Sequence, residues 1–578
     1  MTTRAEIEKL VRSGYSFAGE ALQQLDLAGA ELSGANLSRV DLLGVNLAGA
    51  NLAGANLRGV RMLGGSLGAA NLAGADLEGA TLVLVDMRGA TLTEARLVGA
   101  RGRGLLLGGA DLTGVDLTGA QLPDCKLERA SLRRAKLHQV ALASIDLTGA
   151  DLSGAELHDA KLLDADLTDA NLTGANLTRS VLVGARLLRA DLTGARLDTV
   201  VLAKSDLRGV RFPKQMVRVV FSGTLLKGPD LAGADLQGSE LEELDLSGID
   251  LSGAKLDKTC LINADLRGAN LRGADLEHAV LTGADLRGAD LTDANLEFCI
   301  LTGANLEGAD LSGKNLQLTV LSGAKLGGAN FTGALLRLTL LSEADLTAAN
   351  LTRAAFNQAS LSGAKMKDAV LDRTAFEATD LSGIDLQSIA FVGLSMVRCN
   401  FKDCDLAGKT FSRCDLTGSD FSGAKLSRSR FDQCTLSEAN FEGTDLKEAV
   451  FADVIAKGAY FGDAVLTRAS LVQARLRFAT FTGARLDGAR FAGCDARESV
   501  WKGARAPGAS FLGAVLRYAD LSHADVTGAD FSGADLSSAT LFGIEDEGAL
   551  YADANLSRAK REDEDRREAE AWTPPLKA

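Results

Sequence analysis

Histidine is nearly missing from this chain. Only four occur in 578 residues: His138, His158, His278 and His523. No phosphate loop ending in Lys-Ser/Thr is present and no metalloprotease HExxH. These absences remove the usual carriers of acid–base, nucleophilic and metal-assisted chemistry, so no enzyme is expected. His138 and His158 lie one twenty-residue interval apart, each directly after a Leu. Two imidazoles alone make a poor metal site. No catalytic, cofactor-binding or metal-binding residue is assigned, and no cofactor is expected. The chain also lacks any apolar run of about twenty residues, so membrane insertion as a helix is not expected. Aromatics are only 5% of the residues while glycine is abundant, as a narrow core of Ala and Leu requires.

What fills the chain instead is a five-residue rhythm. Ala50-Asn51-Leu52-Ala53-Gly54 is followed by Ala55-Asn56-Leu57-Arg58-Gly59, and Ala284-Asp285-Leu286-Arg287-Gly288 repeats the pattern far downstream. A period of five fits neither the helical 3.6 nor the strand period of two, and it excludes a heptad coil. A solenoid accommodates it: the large residue and the small residue two before it point inward, and the other three face water.

These units resemble the pentapeptide-repeat family, whose repeats read A(D/N)LXX, over roughly residues 25 to 556. The resemblance implies an all-β fold, a right-handed quadrilateral β-helix with four units per coil. Counting central residues from Leu22 to Phe212 and from Met216 to Leu556 gives about 27 coils, a rod of roughly 130 Å at ordinary strand spacing. The register slips between Phe212 and Met216, a step of four residues beside Pro213. The inward small slots around it hold Val210, Val219, Thr224 and Pro229 in place of Ala. Smaller irregularities fall at Gly102 and Asp546, both in slots that should hold Leu. The expected organisation is a capping helix over 1–16, a solenoid segment over 17–212 and a register break or hinge over 213–230. A second solenoid segment follows over 231–556, rich in Phe from about 391, and then a charged tail over 557–578.

Phe391, Phe411, Phe431 and Phe451 are twenty residues apart, as are Phe401, Phe421, Phe441, Phe461, Phe481 and Trp501 along a second series. Two stacked aromatic ladders on opposite faces are predicted as core packing. Seven of the eight cysteines lie two before a central residue and replace the inward Ala; Cys260 alone does not. Their spacing suits no zinc site. Cys414 and Cys434, one coil apart, are within disulfide reach in distance. Buried reduced thiols in a cytoplasmic protein are nevertheless the expectation.

The net charge of −14 is local rather than uniform. Residues 401–500 balance acids and bases, whereas the run Asp230, Asp235, Glu240, Glu242, Glu243, Asp245 and Asp250 contains no Lys or Arg among its members. That run makes about one coil and is a candidate partner-binding surface. Arg129, Arg133, Arg134 and Lys136 form the densest basic patch, but it lacks interleaved aromatics, so nucleic acid is not an expected partner.

At the start, Thr3 and Glu6 form a capping box, with Ile7, Leu10 and Val11 as an apolar stripe over the first coil. At the end, Lys560-Arg561-Glu562-Asp563-Glu564-Asp565-Arg566-Arg567 is helical or disordered. Trp572 before Thr573-Pro574-Pro575 either docks on the last coil or serves as a handle for another protein.

The expected function is a non-catalytic, rod-like scaffold for protein partners. Long members that resemble this chain imply an association with bacterial secretion machinery such as type VI. The alternative implied by the family is a DNA-mimicking binder of DNA gyrase, of the fluoroquinolone-resistance type. Interleaved bases such as Lys425, Arg428 and Arg430 argue against that alternative. Homodimerisation through a solenoid end is a further expectation.

Overall fold

The computed structural model describes residues 3–562, 567–569 and 572. The fold is a parallel β-solenoid of the quadrilateral pentapeptide-repeat type. Its founding contact recurs within each unit: a side pairs in parallel with the side twenty residues further on, as in Asn51↔Asn71 and Asp151↔Asn171. The N–H of Leu52 donates to the Asn71 carbonyl at 2.7 Å, and the N–H of Asn71 returns to the Ala50 carbonyl at 2.9 Å.

The five-residue unit follows from what one side and one corner need. The Asp or Asn before the central residue closes the corner with its own side chain. Asp151 Oδ1 accepts the Ser153 N–H and Asp166 Oδ1 accepts the Thr168 N–H, each at 3.0 Å. The last turn residue is left-handed, with φ of +64° at Gly54, so glycine recurs there. Arg129 and Asp159 adopt the same conformation at +56° and +58°, at a cost of about 1–2 kcal/mol each. The central Leu and the preceding small residue are then fully buried, as at Ala50 and Leu52.

The solenoid amounts to about 21 turns, fewer than the 27 expected from the spacing of central residues. The sequence count credits every five-residue unit, regular or not. Among the described residues no ladder partner one coil on is found for Arg211 or Val370.

The chain falls into two compact units, Met1–Asn295 and Leu296–Ala578. Unit 1 opens with α1 (Arg4–Arg12), whose capping box at Thr3 and Glu6 is formed. Glu6 Oε2 accepts the Thr3 N–H at 2.7 Å. Ile7 is buried, with Leu10 and Val11 half-buried beside it. Arg4 donates to the carbonyls of Ala28, at 2.7 Å, and Gly29, while Glu8 accepts the Glu31 N–H at 3.2 Å. The helix thereby occupies backbone groups of the first coils, as a cap must.

One side of unit 1 lengthens into four strands: β1 (Asp41–Leu43), β2 (Arg61–Leu63), β3 (Thr81–Val83) and β4 (Arg101–Arg103). The Gly102 irregularity lies on β4. A Cβ there would collide with the Leu82 carbonyl oxygen, so the backbone lies too close for a side chain. Leu105 sits in the next small slot, fully buried. Large and small residues have exchanged places, which keeps the core filled.

The register slip also lies in unit 1. One coil is a residue short, so that Val201 pairs with Val220 and Asp206 with Leu225, before the interval of twenty returns at Gln215↔Asp235. Phe212 is only half-buried, and Pro213 is buried instead. Phe212 meets Phe221 edge-on, with centroids 6.1 Å apart.

Unit 2 carries two four-stranded sheets. One comprises β5 (Leu335–Arg337), β6 (Ala355–Asn357), β7 (Ala375–Glu377) and β9 (Ser395–Val397). The other comprises β8 (Phe391–Val392), β10 (Thr410–Ser412), β11 (Arg430–Asp432) and β12 (Val450–Ala452). Both aromatic ladders are present. Phe411 and Phe431 stack at 4.9 Å, as do Phe441 and Phe461, and Phe481 stacks on Trp501 at 4.1 Å. Rings ten residues apart meet edge-on across the core, as Phe411 and Phe421 do at 6.4 Å and 83°. Offset stacks along the ladder and T-contacts across it are the two preferred aromatic geometries. The Trp501 indole N–H donates to Ser499 Oγ at 2.6 Å, so its buried donor is satisfied.

Asp546, in a slot expected to hold Leu, belongs to the last coils. Arg561 Nη2 reaches its carboxylate at 2.7 Å and the Tyr551 hydroxyl donates to it at 2.9 Å. Its inward charge is thus paired where the apolar core stops.

Replacing Phe431 by Ala removes a ring that is stacked on both sides and touched edge-on. We expect a loss of about 3–5 kcal/mol in unfolding free energy, the usual cost of a core Phe, measured by denaturant titration. The outward change Glu442→Ala should cost less than about 0.5 kcal/mol.

Candidate binding surface

A coil has four sides, so residues five apart lie on different sides and residues twenty apart lie together. That rule divides the acidic run. Asp230 and Asp250 share one side, where they are ladder partners. Asp235 and Asp245 lie on two others, pairing with Lys255 and Asp265. Glu240, Glu242 and Glu243 occupy the fourth. The seven acids therefore encircle the coil, and only these three glutamates gather on one side.

Their electrostatics differ too. Asp230 is bridged by Lys214 at 3.4 Å and Asp235 by Lys255 at 3.3 Å. Asp250 accepts the Ser252 N–H at 3.0 Å and the Asn270 amide at 2.9 Å. The Ser252 backbone contact is the largest of several that hold its carboxyl below the usual range. Asp245 accepts both the N–H and the hydroxyl of Ser247. The three glutamates have no ion pair among the described residues. Glu242 takes only a long bond, 3.4 Å, from the Ser222 hydroxyl. Glu243 stands at a left-handed turn tip with φ of +60°. Val220 and Cys260 flank Glu240 on the ladder, and the Ile262 carbonyl accepts the Glu243 N–H at 2.8 Å. The resulting surface is an acidic trio without ion pairs among the described residues, with half-buried Cys260 at its edge.

The remaining candidates scatter. Trp572 is 68% exposed. Of the tail, Asp563, Glu564, Asp565, Arg566 and Thr573-Pro574-Pro575 lie outside the described residues, and 567–569 are helical. His138 and His158 do stack, with ring centroids 3.9 Å apart. Burial, and then the neighbouring imidazole, hold His138 below its ordinary range. No group of three or more His, Cys, Asp or Glu arranged to hold a metal occurs among the described residues. No helix among them is long and apolar enough to cross a membrane.

The cysteines reveal what the inward small slot demands. Hydroxyls there donate to the carbonyl twenty-three residues back: Ser205 to Leu182 at 2.7 Å, Ser239 to Met216 and Thr339 to Leu316 at 2.8 Å. The thiols do the same, Cys404 to Leu381 at 3.1 Å, and Cys414 to Phe391 and Cys434 to Phe411 at 3.4 Å. Cys, Ser, Thr and Ala are thus interchangeable fillers, three of which satisfy a carbonyl. All eight thiols are free. Burial pushes Cys125 up to about 11 and Cys399 and Cys494 up to about 12.

Comparison with known proteins agrees with this geometry. A family model described as pentapeptide repeats matches in eight copies, at residues 26–62, 67–101, 175–212, 220–257, 259–297, 299–337, 339–377 and 502–533. A second, described as a pentapeptide repeat region, matches 115–192 and 394–477. The matched spans exceed half of the chain, which belongs to the pentapeptide-repeat family. No curated protein matches it. Among solved structures it is similar to a trypsin-treated form of QnrB1, a plasmid-mediated fluoroquinolone resistance protein. The identity is 21% over 34% of this chain and 94% of that one, with a TM-score of 0.24. It is similar to HetL, a pentapeptide repeat protein involved in heterocyst differentiation regulation in the cyanobacterium Nostoc (27% identity, 53% and 97% coverage, TM-score 0.12). A pentapeptide repeat protein of the Arabidopsis thaliana thylakoid lumen is 30% identical, over 18% of this chain and 71% of its own, with a TM-score of 0.12. Likeness at these values carries no argument about function.

Because thiolate reactivity requires ionisation and access, a thiol reagent applied to the native protein should modify Cys260 quickly. The seven buried cysteines should react only on unfolding. More than one fast thiol per chain would contradict the inward placement.

Proposed function

We propose that this protein is a non-catalytic scaffold that binds protein partners through outward residues on stacked coils, in the cytoplasm. The observation that carries the reading is the division of labour within the repeat. Central and small slots are consumed by packing and the ladder, as at Leu52 and Ala50. The slots left variable are outward, and they are where charge goes unpaired. Buried free thiols support a reducing compartment.

The acidic trio Glu240, Glu242 and Glu243 is the preferred contact, because its charges are not already neutralised by neighbours. It suits a basic surface on another protein, where complementary charge sets encounter rate and register. Trp572, exposed beyond the last coil, is a second contact, of the large aromatic kind that anchors interfaces. Bacterial secretion machinery of the type VI kind is the assembly we assign to it.

Charge mimicry of DNA toward gyrase is the weaker reading. Acids on the neighbouring side are bridged by arginines, Asp265 by Arg267 and Asp285 by Arg287. An unbroken acidic stripe is therefore lost where a mimic would need it.

Affinity capture from the native cell lysate, read by mass spectrometry, tests the scaffold. Changing Glu240, Glu242 and Glu243 together to Lys should reduce recovery of the main partner by about tenfold or more, the scale of charge reversal at a contact. The thermal melt should be unchanged. Undiminished recovery contradicts the assignment of the trio. Recovery of gyrase, with inhibition of supercoiling, would establish the other reading.

A further inference from the structure

In unit 2 one corner departs from the polar pattern of the outward slots. Phe298, Leu318 and Leu338 stand at three successive turn tips, and Ile300, Val320 and Leu340 begin the side that follows each. Their stacking is set by the backbone. The Phe298 N–H donates to Gln317 at 3.1 Å, Leu318 to Arg337 at 2.9 Å, and Ile300 pairs with Val320 and Val320 with Leu340. Ile300, Leu318 and Leu340 are 38%, 41% and 44% exposed, and Phe298, Val320 and Leu338 are half-buried. The tips have φ of +60°, +56° and +54°, a conformation costly for bulky residues and relieved by glycine at most other corners. The next coil returns to polar residues with Gln358 and Ser360. The side beyond carries the uncharged Thr302, Ser322 and Ser342. Contiguous apolar surface with a defined edge marks an interaction site.

The charges at its margin indicate the occupant. The slot just before each tip holds Glu297, Gln317 and Arg337 in turn: acid at one end, neutral in the middle, base at the other. We propose that this ridge joins two copies of the chain side by side and antiparallel, about a two-fold axis through Leu318 and Val320. Both copies have the same rise per coil, so the apolar rows fall into register along the contact. Antiparallel pairing sets Glu297 opposite Arg337 of the second copy, twice. Parallel pairing would set like charges together. Self-complementarity of one patch is what an isologous interface requires. Six apolar side chains per copy place the contact at the small end of specific interfaces, so the dimer dissociates on dilution.

Sedimentation velocity of the full chain over a micromolar concentration series tests this. We expect a reversible monomer–dimer shift. Leu318→Arg should abolish it without altering the thermal melt, since the side chain points outward. Glu297→Arg should weaken the dimer several-fold, and Arg337→Glu likewise. The double exchange Glu297→Arg with Arg337→Glu should restore it. A wild-type chain that stays monomeric throughout overturns the proposal, and so would leave the ridge to another protein or to a membrane surface. A dimer indifferent to Leu318→Arg also overturns it and would place association at a solenoid end. So does a double exchange that fails to rescue.

Discussion

The parallel hydrogen-bond ladder between residues twenty apart is the constraint on which everything else depends. It obliges the chain to return to the same side every coil, so each coil needs four corners. Each corner needs an N–H satisfied and a left-handed residue. Asp or Asn before the central residue supplies the first, as Asp151 does for Ser153. Gly or a tolerant polar residue supplies the second. What remains inside is a channel wide enough for one large and one small residue per side, which Leu and Ala fill. Where the ladder loses a residue, beside Pro213, the pattern fails together: Phe212 loosens, Pro213 turns in, and Arg211 has no ladder partner one coil on among the described residues.

Much of this was legible in the sequence, because a strict period leaves few ways to be read. The five-residue rhythm led to a solenoid, and the resemblance to pentapeptide repeats implied the β-helix. The twenty-residue spacing of Phe391, Phe411 and Phe431 led to a stack that the structure contains at 4.4 and 4.9 Å. The inward placement of seven cysteines followed from the same count. The exchange at Gly102 and Leu105 was not legible, since a glycine in a central slot reads as a defect until its backbone is seen against Leu82. Asp546 likewise makes sense only once Arg561 and Tyr551 are seen to reach it.

The candidate binding surface was harder to read for a geometric reason. Neighbours in sequence occupy different sides, so a run of acids looks like a patch and is in fact a ring. Asp230 and Asp235, read as part of one surface with Glu240, are separated by corners and occupied by lysines. The converse error is a ridge hidden in plain text: Phe298, Leu318 and Leu338 are too far apart in sequence to read as a cluster. Scanning the outward slots at intervals of twenty would have found it. The fold thus turns periodic positions into surfaces, and under the proposed scaffold function a partner is met by columns in the sequence rather than by segments.

That claim has a direct test. Hydrogen exchange of the chain alone and bound to its captured partner would show which amides the partner protects. The account predicts added protection in short peptides that recur every twenty residues, on one side of adjacent coils, with the inner ladder unchanged. Protection of one continuous stretch running around a coil, or loss of ladder protection on binding, would contradict it.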